Sequence, residues 1–153
     1  MKHAFLVVAL LGGATLLGPQ VAGAASESDC TEMWKRADKD GDGSLRDAEA
    51  ERYLAALRIR NLPLPTENRF NSDTFMQACL TDAFLVKAVD AGAPLKGEST
   101  LTEAQARDRA VAYGVVNLAD MAQDADGIWR GKGMMDGKPV KIAVDYKGNV
   151  VLQ

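Results

Sequence analysis

Apolar residues in the first half of the chain recur with the spacing of an α-helix. Three stripes show the i, i+3, i+4, i+7 pattern or a close variant of it: Cys30, Met33, Trp34 and Ala37; Ala50, Tyr53, Leu54 and Leu57; and Phe75, Met76, Cys79, Leu80 and Ala83. This period places each set on one face of a helix. The pattern therefore predicts three amphipathic helices that pack their stripes together.

The last third of the chain has a different period. Thr102 and Gln105 form a capping box that starts a helix running to about Gly114. Beyond it, apolar residues alternate with polar ones, which predicts four strands at Val116 to about Met121, Ile128–Met134, Val140–Val144 and Val150–Leu152. Asp-Gly and Lys-Gly pairs between them are turn signals. We expect one helix against a short antiparallel sheet.

A Gly/Ala/Pro stretch at 91–97 separates the two patterns and predicts a linker. The expected organisation is a helical domain over 25–90, a linker over 91–98 and a small helix-plus-sheet domain over 99–153. The fold class predicted for the whole is α+β.

The first 24 residues have the pattern of a secretory signal peptide. A positive Met1-Lys2-His3 precedes an apolar run over 4–17, and Ala22-Gly23-Ala24 fits the small-x-small cleavage rule. The run is shorter than the ~20 residues of a membrane span, which disfavours a membrane anchor. The sequence predicts cleavage after Ala24, a periplasmic or secreted protein, and no stable membrane insertion once the signal is removed.

Twelve residues, Asp38–Glu49, fit the EF-hand calcium loop at every defined position. Calcium takes six to eight oxygen ligands, and the loop supplies them from fixed positions. The expected ligands of one Ca²⁺ ion are the carboxylates of Asp38, Asp40, Asp42 and Glu49 and the backbone carbonyl of Ser44. The sharp turn at position six has the required glycine, Gly43.

Two other loop positions add to the prediction. Leu45, at position eight, is expected to anchor the loop in the core and to pair with a neighbouring loop. Arg46, at position nine, has no acceptor atom and is the one irregularity. The helical stripes on both sides give the helix–loop–helix context that the motif requires, and the first half resembles bacterial EF-hand proteins.

EF-hands usually pack in pairs, and two segments align with the loop. Pro63–Thr74 places Phe70 over Leu45 and Asn68 over Gly43, with prolines or threonine at three ligand positions. Pro94–Gln105 is a rival alignment, also without acids at positions one and three. A plain helix–helix linker remains an equal alternative for 63–74. Either alignment predicts a degenerate partner loop and a single competent site.

Cys30 and Cys79 are the only cysteines. An exported chain meets an oxidising compartment, so one disulfide is expected between the first and third helices. Two buried free thiols are the alternative.

The segment from about Ser99 to Val151 resembles the PepSY-like domains of exported bacterial proteins. The resemblance rests on Leu-Thr-Glu-Ala-Gln-Ala-Arg at 101–107, Asp-Gly-Ile-Trp-Arg-Gly at 126–131, Asp-Gly-Lys at 136–138 and Val-Asp-Tyr-Lys-Gly-Asn-Val at 144–150. It implies a small non-catalytic module that, in some relatives, is associated with restraining peptidases.

Trp129, Arg130 and Lys132 form a candidate partner face on the second strand, with a core tryptophan and solvated cations as the favoured alternative. The predicted function is a calcium-binding protein joined to an interaction module; the second hypothesis is an inhibitor or regulator of an envelope peptidase.

Charge and composition disfavour other classes. The net charge of −3 argues against nucleic acid as a partner. His3 is the only histidine and lies in the predicted signal peptide, which removes the usual catalytic and metal-ligating imidazoles from the mature chain. The sequence therefore does not predict an enzyme.

Overall fold

The computed structural model describes residues 25–153. The predicted signal peptide and its cleavage site lie outside the described residues. Within 25–153, no helix combines the length and the apolar character that a membrane crossing needs.

The described chain is a mixed α+β structure with four helices, a two-stranded sheet and a four-stranded antiparallel sheet. The helices are α1 (Glu27–Ala37), α2 (Asp47–Ile59), α3 (Ser72–Leu80) and α4 (Glu103–Tyr113). The strands are β1 (Ser44–Leu45), β2 (Phe70–Asn71), β3 (Val116–Gln123), β4 (Trp129–Met135), β5 (Lys138–Val144) and β6 (Val150–Leu152). The α+β class predicted from the two periodicities is confirmed.

The first core lies between α1, α2 and α3, and aromatic rings dominate it. Phe75 is fully buried. The centroid of its ring lies 5.3 Å from that of Trp34 and 4.8 Å from that of Tyr53, and both ring pairs are edge to face. Such ring pairs add roughly 0.5–1.5 kcal/mol each beyond the area that they bury. For one residue of the third predicted stripe, the prediction of a core position is wrong: Leu80 is 41% exposed. It is the last residue of α3, where the helix reaches the surface.

The second core lies between α4 and the sheet β3-β4-β5-β6. Helix α4 begins with the predicted capping box, in which Thr102 and Gln105 each bond the other's backbone N–H. It ends at Gly114, whose φ of 115° belongs to the left-handed region that glycine favours. Its alanines, Ala106 and Ala110, are fully buried because the sheet approaches the helix closely on that face.

The two cores are joined by helix packing. Ala55 and Ala56 of α2 lie against Ala112 of α4 and form a small buried cluster. At the edge of this contact, Arg58 makes an ion pair with Asp108, with Nη2 and Oδ1 2.8 Å apart. Small side chains on both helices let the backbones come close, and sequence periodicity alone does not reveal this contact.

The segment predicted as a linker is fixed by hydrogen bonds to the β5–β6 turn. The N–H of Leu95 donates to Asp145 Oδ2 over 2.9 Å, and the N–H of Asp90 donates to Asn149 Oδ1 over 3.0 Å. Asp145 and Asn149 are both buried. The connection is therefore bonded to the second unit at Leu95 and, just before the predicted linker, at Asp90.

Candidate metal centre

The loop between α1 and α2 is held to the rest of the fold at its first residue and at its eighth. Asp38 directly follows α1, and its N–H donates to Trp34 O over 2.9 Å as the helix cap. Near the other end, Leu45 in β1 is fully buried in the first core, as predicted. The loop is therefore anchored to the hydrophobic core through one apolar side chain while its polar residues remain near the surface.

Three predicted ligands come together in this loop. One carboxylate oxygen from each of Asp38, Asp40 and Asp42 lies within 4.8 Å of the others. Gly41, between Asp40 and Asp42, and Gly43, after Asp42, have φ values of 71° and 78°, in the left-handed region. Acids at every second position and the turns at these glycines thus bring three negative charges together, where they repel one another in the absence of a cation.

Backbone N–H groups orient each of these carboxylates. Asp38 Oδ2 accepts from Gly43 N over 3.2 Å, Asp40 Oδ1 from Asp42 N over 3.1 Å, and Asp42 Oδ1 from Ser44 N over 2.9 Å. These bonds fix the side chains in a shared arrangement, since each uses one oxygen of its carboxylate.

Asp38 Oδ1 is different from every other described side-chain polar atom. It is buried and has no hydrogen-bond partner, and it is the one such atom within residues 25–153. A buried oxygen that loses its water without gaining a donor costs about 1–3 kcal/mol, and more when it is charged. A cation placed beside this oxygen would remove the cost.

Glu49, the predicted bidentate ligand, makes other contacts. Its Oε1 accepts from the N–H of Lys39 over 2.8 Å and from the N–H of Asp40 over 3.4 Å. The carboxylate therefore reaches back across the loop from α2, although it is not one of the three acids that cluster. Its predicted role as a ligand stays a prediction.

Two arginines, one within the loop and one outside it, bond to loop residues in contacts that the sequence pattern did not predict. Arg46 forms an ion pair with Asp42, with Nη2 and Oδ2 2.6 Å apart. Their i, i+4 spacing was the available clue. Arg69 donates from Nε to Ser44 Oγ, from 25 residues away in the chain. The hydroxyl of Ser44 is thus already engaged, and its predicted role concerns its backbone carbonyl only.

The loop pairs with a second segment through the two short strands. β1 and β2 are antiparallel, with Leu45 opposite Phe70 and Ser44 opposite Asn71. This is the register of the Pro63–Thr74 alignment, in which Phe70 matches Leu45. Asn68, aligned with Gly43, has a φ of 54° in the same left-handed region.

A covalent link holds the helices that carry these loops. Cys30 Sγ in α1 and Cys79 Sγ in α3 lie at bonding distance, 2.02 Å apart, and no free cysteine remains. Both residues are buried in the first core. The pairing predicted from the cysteine count is confirmed in the structure.

The three residues of the candidate partner face do not share one environment. Trp129 packs against the second core and donates from Nε1 to Leu101 O over 3.0 Å. Arg130 and Lys132 lie on the other side of β4, because side chains alternate along a strand. Arg130 pairs with Asp124 over 2.6 Å and Lys132 with Asp120 over 3.2 Å. This arrangement favours a core tryptophan with solvated ion pairs opposite.

No protein-family model, curated protein or solved structure matches this chain. The argument for a function therefore rests on the loop itself. Its donor set consists of carboxylate and carbonyl oxygens, which suit Ca²⁺ and Mg²⁺ and do not suit soft transition metals. The unpartnered Asp38 Oδ1 is the observation by which the residues present fit such an ion.

Proposed function

We propose that this chain is a secreted or periplasmic calcium-binding protein. Loop Asp38–Glu49 is an EF-hand site for one Ca²⁺ ion with a structural role, and residues 99–153 are a PepSY-like interaction module. The observation that carries the metal site is Asp38 Oδ1, a buried carboxylate oxygen without a partner beside two further carboxylates. The wider assignment rests on the sequence resemblances.

The residues that would hold the ion are Asp38, Asp40, Asp42 and Glu49 through their carboxylates and Ser44 through its carbonyl. The ion supplies positive charge that offsets the repulsion between the acids. Calcium is favoured over magnesium because the loop offers many protein oxygens, whereas Mg²⁺ keeps several of its waters and needs near-ideal octahedral geometry.

Two contacts set an energetic cost on binding. Glu49 gives up hydrogen bonds from the N–H groups of Lys39 and Asp40 when it turns to a cation. Asp42 forms an ion pair with Arg46, which offsets part of the negative charge that attracts a cation. Both effects lower the affinity below that of a loop whose acids have no other partner.

A structural role follows from how the surrounding helices are connected. The disulfide joins α1 to α3, and β1–β2 pairing joins the loop to the segment that leads into α3. Helices tied in this way have little freedom to move apart when an ion binds. The ion therefore acts mainly by stabilising the junction between α1 and α2, with a gain in stability that follows its occupancy.

Calorimetric titration of residues 25–153 with calcium tests the proposal. The expected result is one binding site. Asp38→Asn combined with Glu49→Gln should weaken it by at least roughly 100-fold, because two of four charged ligands are lost. Asp47→Asn is the matched control: it removes one charge from the same loop at a position without a ligand role, and it should leave the stoichiometry unchanged.

Two results would count against the proposal. The first is the absence of heat from calcium at millimolar concentration with a folded protein. The second is that Asp47→Asn weakens binding as much as Asp38→Asn alone, each of which removes one charge; this would mean that the loop attracts cations only by its net charge.

A further inference from the structure

A cavity lies on the side where α2, α4 and the β5–β6 turn meet. Its volume is about 130 Å³. The inner wall is apolar and is built from Ala56 and Ile59 of α2, Ala112 of α4 and Val150 of β6. None of the residues that line this cavity belongs to the metal loop.

The polar part of the lining is entirely basic. Arg60, Lys87, Arg109 and Lys147 line the cavity, and no acidic residue does. This is unusual in a chain whose net charge is −3. Like charges gathered around an apolar wall raise the local concentration of anions.

Only one of these four cations has a carboxylate partner. Lys87 Nζ lies 2.9 Å from Asp90 Oδ1 and also donates to Asn149. Across residues 25–153, Arg60, Arg109 and Lys147 form no ion pair within 4.0 Å. Three of the four cations of the lining therefore have no carboxylate in direct contact.

Arg109 is the cation with the most to gain from a bound anion. Its guanidinium is half-buried and lies against the β5–β6 turn, where a Cβ at Gly148 would come within 2.5 Å of Nε. Burial lowers the pKa of Arg109, with the nearby Asp108 acting in the opposite direction. Of its five N–H donors, one has a protein acceptor: Nη1 donates to Gln105 O over 3.0 Å.

We propose that this cavity binds a small apolar carboxylate, with the acid group on Arg109 and the short aliphatic part against the wall of Ala56, Ile59, Ala112 and Val150. Arginine suits this role since its planar fork of donors matches a carboxylate. The volume limits the aliphatic part to a few carbon atoms. Such a group can come from a free short-chain acid or from the carboxyl end of a peptide with an apolar last residue.

Nuclear magnetic resonance titration of ¹⁵N-labelled residues 25–153 tests this proposal with two probes. Butyrate represents a free acid and N-acetylleucine a peptide end. A saturable shift of the Arg109 Nε–H resonance with either probe supports the site, and the tighter probe identifies the source. Two controls separate the features of the ligand: 1-butanol has the apolar chain without the negative charge, and inorganic phosphate has the charge without the chain. Both should bind at least roughly ten-fold more weakly than the better probe.

Binding to Arg109→Gln, which lacks the Nε–H resonance, is followed on the backbone N–H of Gly148 in the lining. This variant should bind roughly ten-fold more weakly, because a charged hydrogen-bonding partner is lost. Arg107→Gln is the matched control on the same helix, since Arg107 pairs with Glu103 and does not line the cavity. If Arg109→Gln does not fold, Lys147→Gln provides the second test, with a smaller weakening expected.

Three outcomes would overturn the proposal. They are no saturable shift with either carboxylate, equal affinity for 1-butanol or phosphate, and equal weakening by Arg107→Gln and Arg109→Gln.

Discussion

The Asp38–Glu49 loop and the 145–149 turn each begin with an aspartate that has buried oxygen atoms, yet the two carboxylates are in opposite states. In the turn, Asp145 is fully buried and its oxygens accept from the N–H groups of Leu95, Lys147 and Asn149 and from Asn149 Nδ2, at 2.8–3.0 Å. In the loop, Asp38 has a buried oxygen that accepts nothing. The Asp145 carboxylate, with all its hydrogen bonds made within the fold, supports the structure, whereas the unpartnered oxygen of Asp38 is the observation on which the proposed metal site rests.

The units that carry these carboxylates are also held differently. The first unit has an aromatic core closed by a covalent link between α1 and α3. The second has a sheet, an alanine-rich helix and a buried polar network that ties down residues 90–95. The disulfide of the first unit and the polar network of the second can be removed by separate substitutions, so the contribution of each to stability can be measured alone.

Removal of the disulfide should have the largest effect. The cysteines are 49 residues apart, and the loss of so long a closed loop lowers the free energy of unfolding by about 4 kcal/mol in the chain-entropy model. Urea denaturation of Cys30→Ala, Cys79→Ala against the oxidised parent measures it. A loss below about 1 kcal/mol would mean that the aromatic core holds the first unit without the link.

Asp145→Asn should be the next largest. The amide keeps one acceptor oxygen but places an NH₂ group against donors, so we expect a loss of about 2–3 kcal/mol in the free energy of unfolding. Asp136→Asn is the control, an exposed acid in the β4–β5 turn with a φ of 50° that asparagine tolerates. Equal effects in urea denaturation would contradict the special role of the Asp145 carboxylate.

Acid should weaken the same network. Burial raises the pKa of Asp145, but hydrogen bonds from Leu95, Asn149 and Lys147 outweigh burial and hold the pKa below its ordinary value. The stability that depends on its charge is therefore complete above about pH 4 and is lost as the pH falls through the lower, folded-state pKa. Thermal melts between about pH 6 and pH 2 measure the loss, and it should shrink in Asp145→Asn. An unchanged pH profile in that variant would assign the acid sensitivity to other groups.

Arg46→Gln should have the smallest effect and the opposite sign. It frees Asp42 from an exposed ion pair worth less than about 1 kcal/mol and removes a positive charge from the loop. Calcium affinity should rise by roughly two- to five-fold in calorimetric titration. Arg36→Gln, a basic residue in the last turn of α1 outside the loop, is the control. A fall in affinity would show that Arg46 assists the ion.

Local sequence signals predicted most of the fold. The capping box at Thr102, the change of period after Gly114 and the position-eight match of Leu45 with Phe70 are each encoded within a few residues. The same holds for the loop acids, whose spacing brings Asp38, Asp40 and Asp42 together. A spacing that repeats along the chain predicts which side chains share a face, because side-chain directions repeat with a fixed period along a helix or strand.

What the sequence did not predict depends on residues far apart in the chain. Leu95 and Asp145 are 50 residues apart, and Arg69 and Ser44 are 25 apart. The basic cavity joins α2, α4 and the β5–β6 turn, and none of these has a pattern that indicates the others. The predicted burial of Leu80 was wrong for a related reason. Its exposure depends on where the surface of the folded unit lies and not only on its position in the helix.

The central claim concerns one atom, and a crystal structure of residues 25–153 grown with calcium tests it directly. The account predicts an ion at about 2.3–2.6 Å from Asp38 Oδ1, with Asp40, Asp42 and Glu49 among its other ligands. An Asp38 Oδ1 that instead contacts only water or Arg46, with the ion absent, would contradict it.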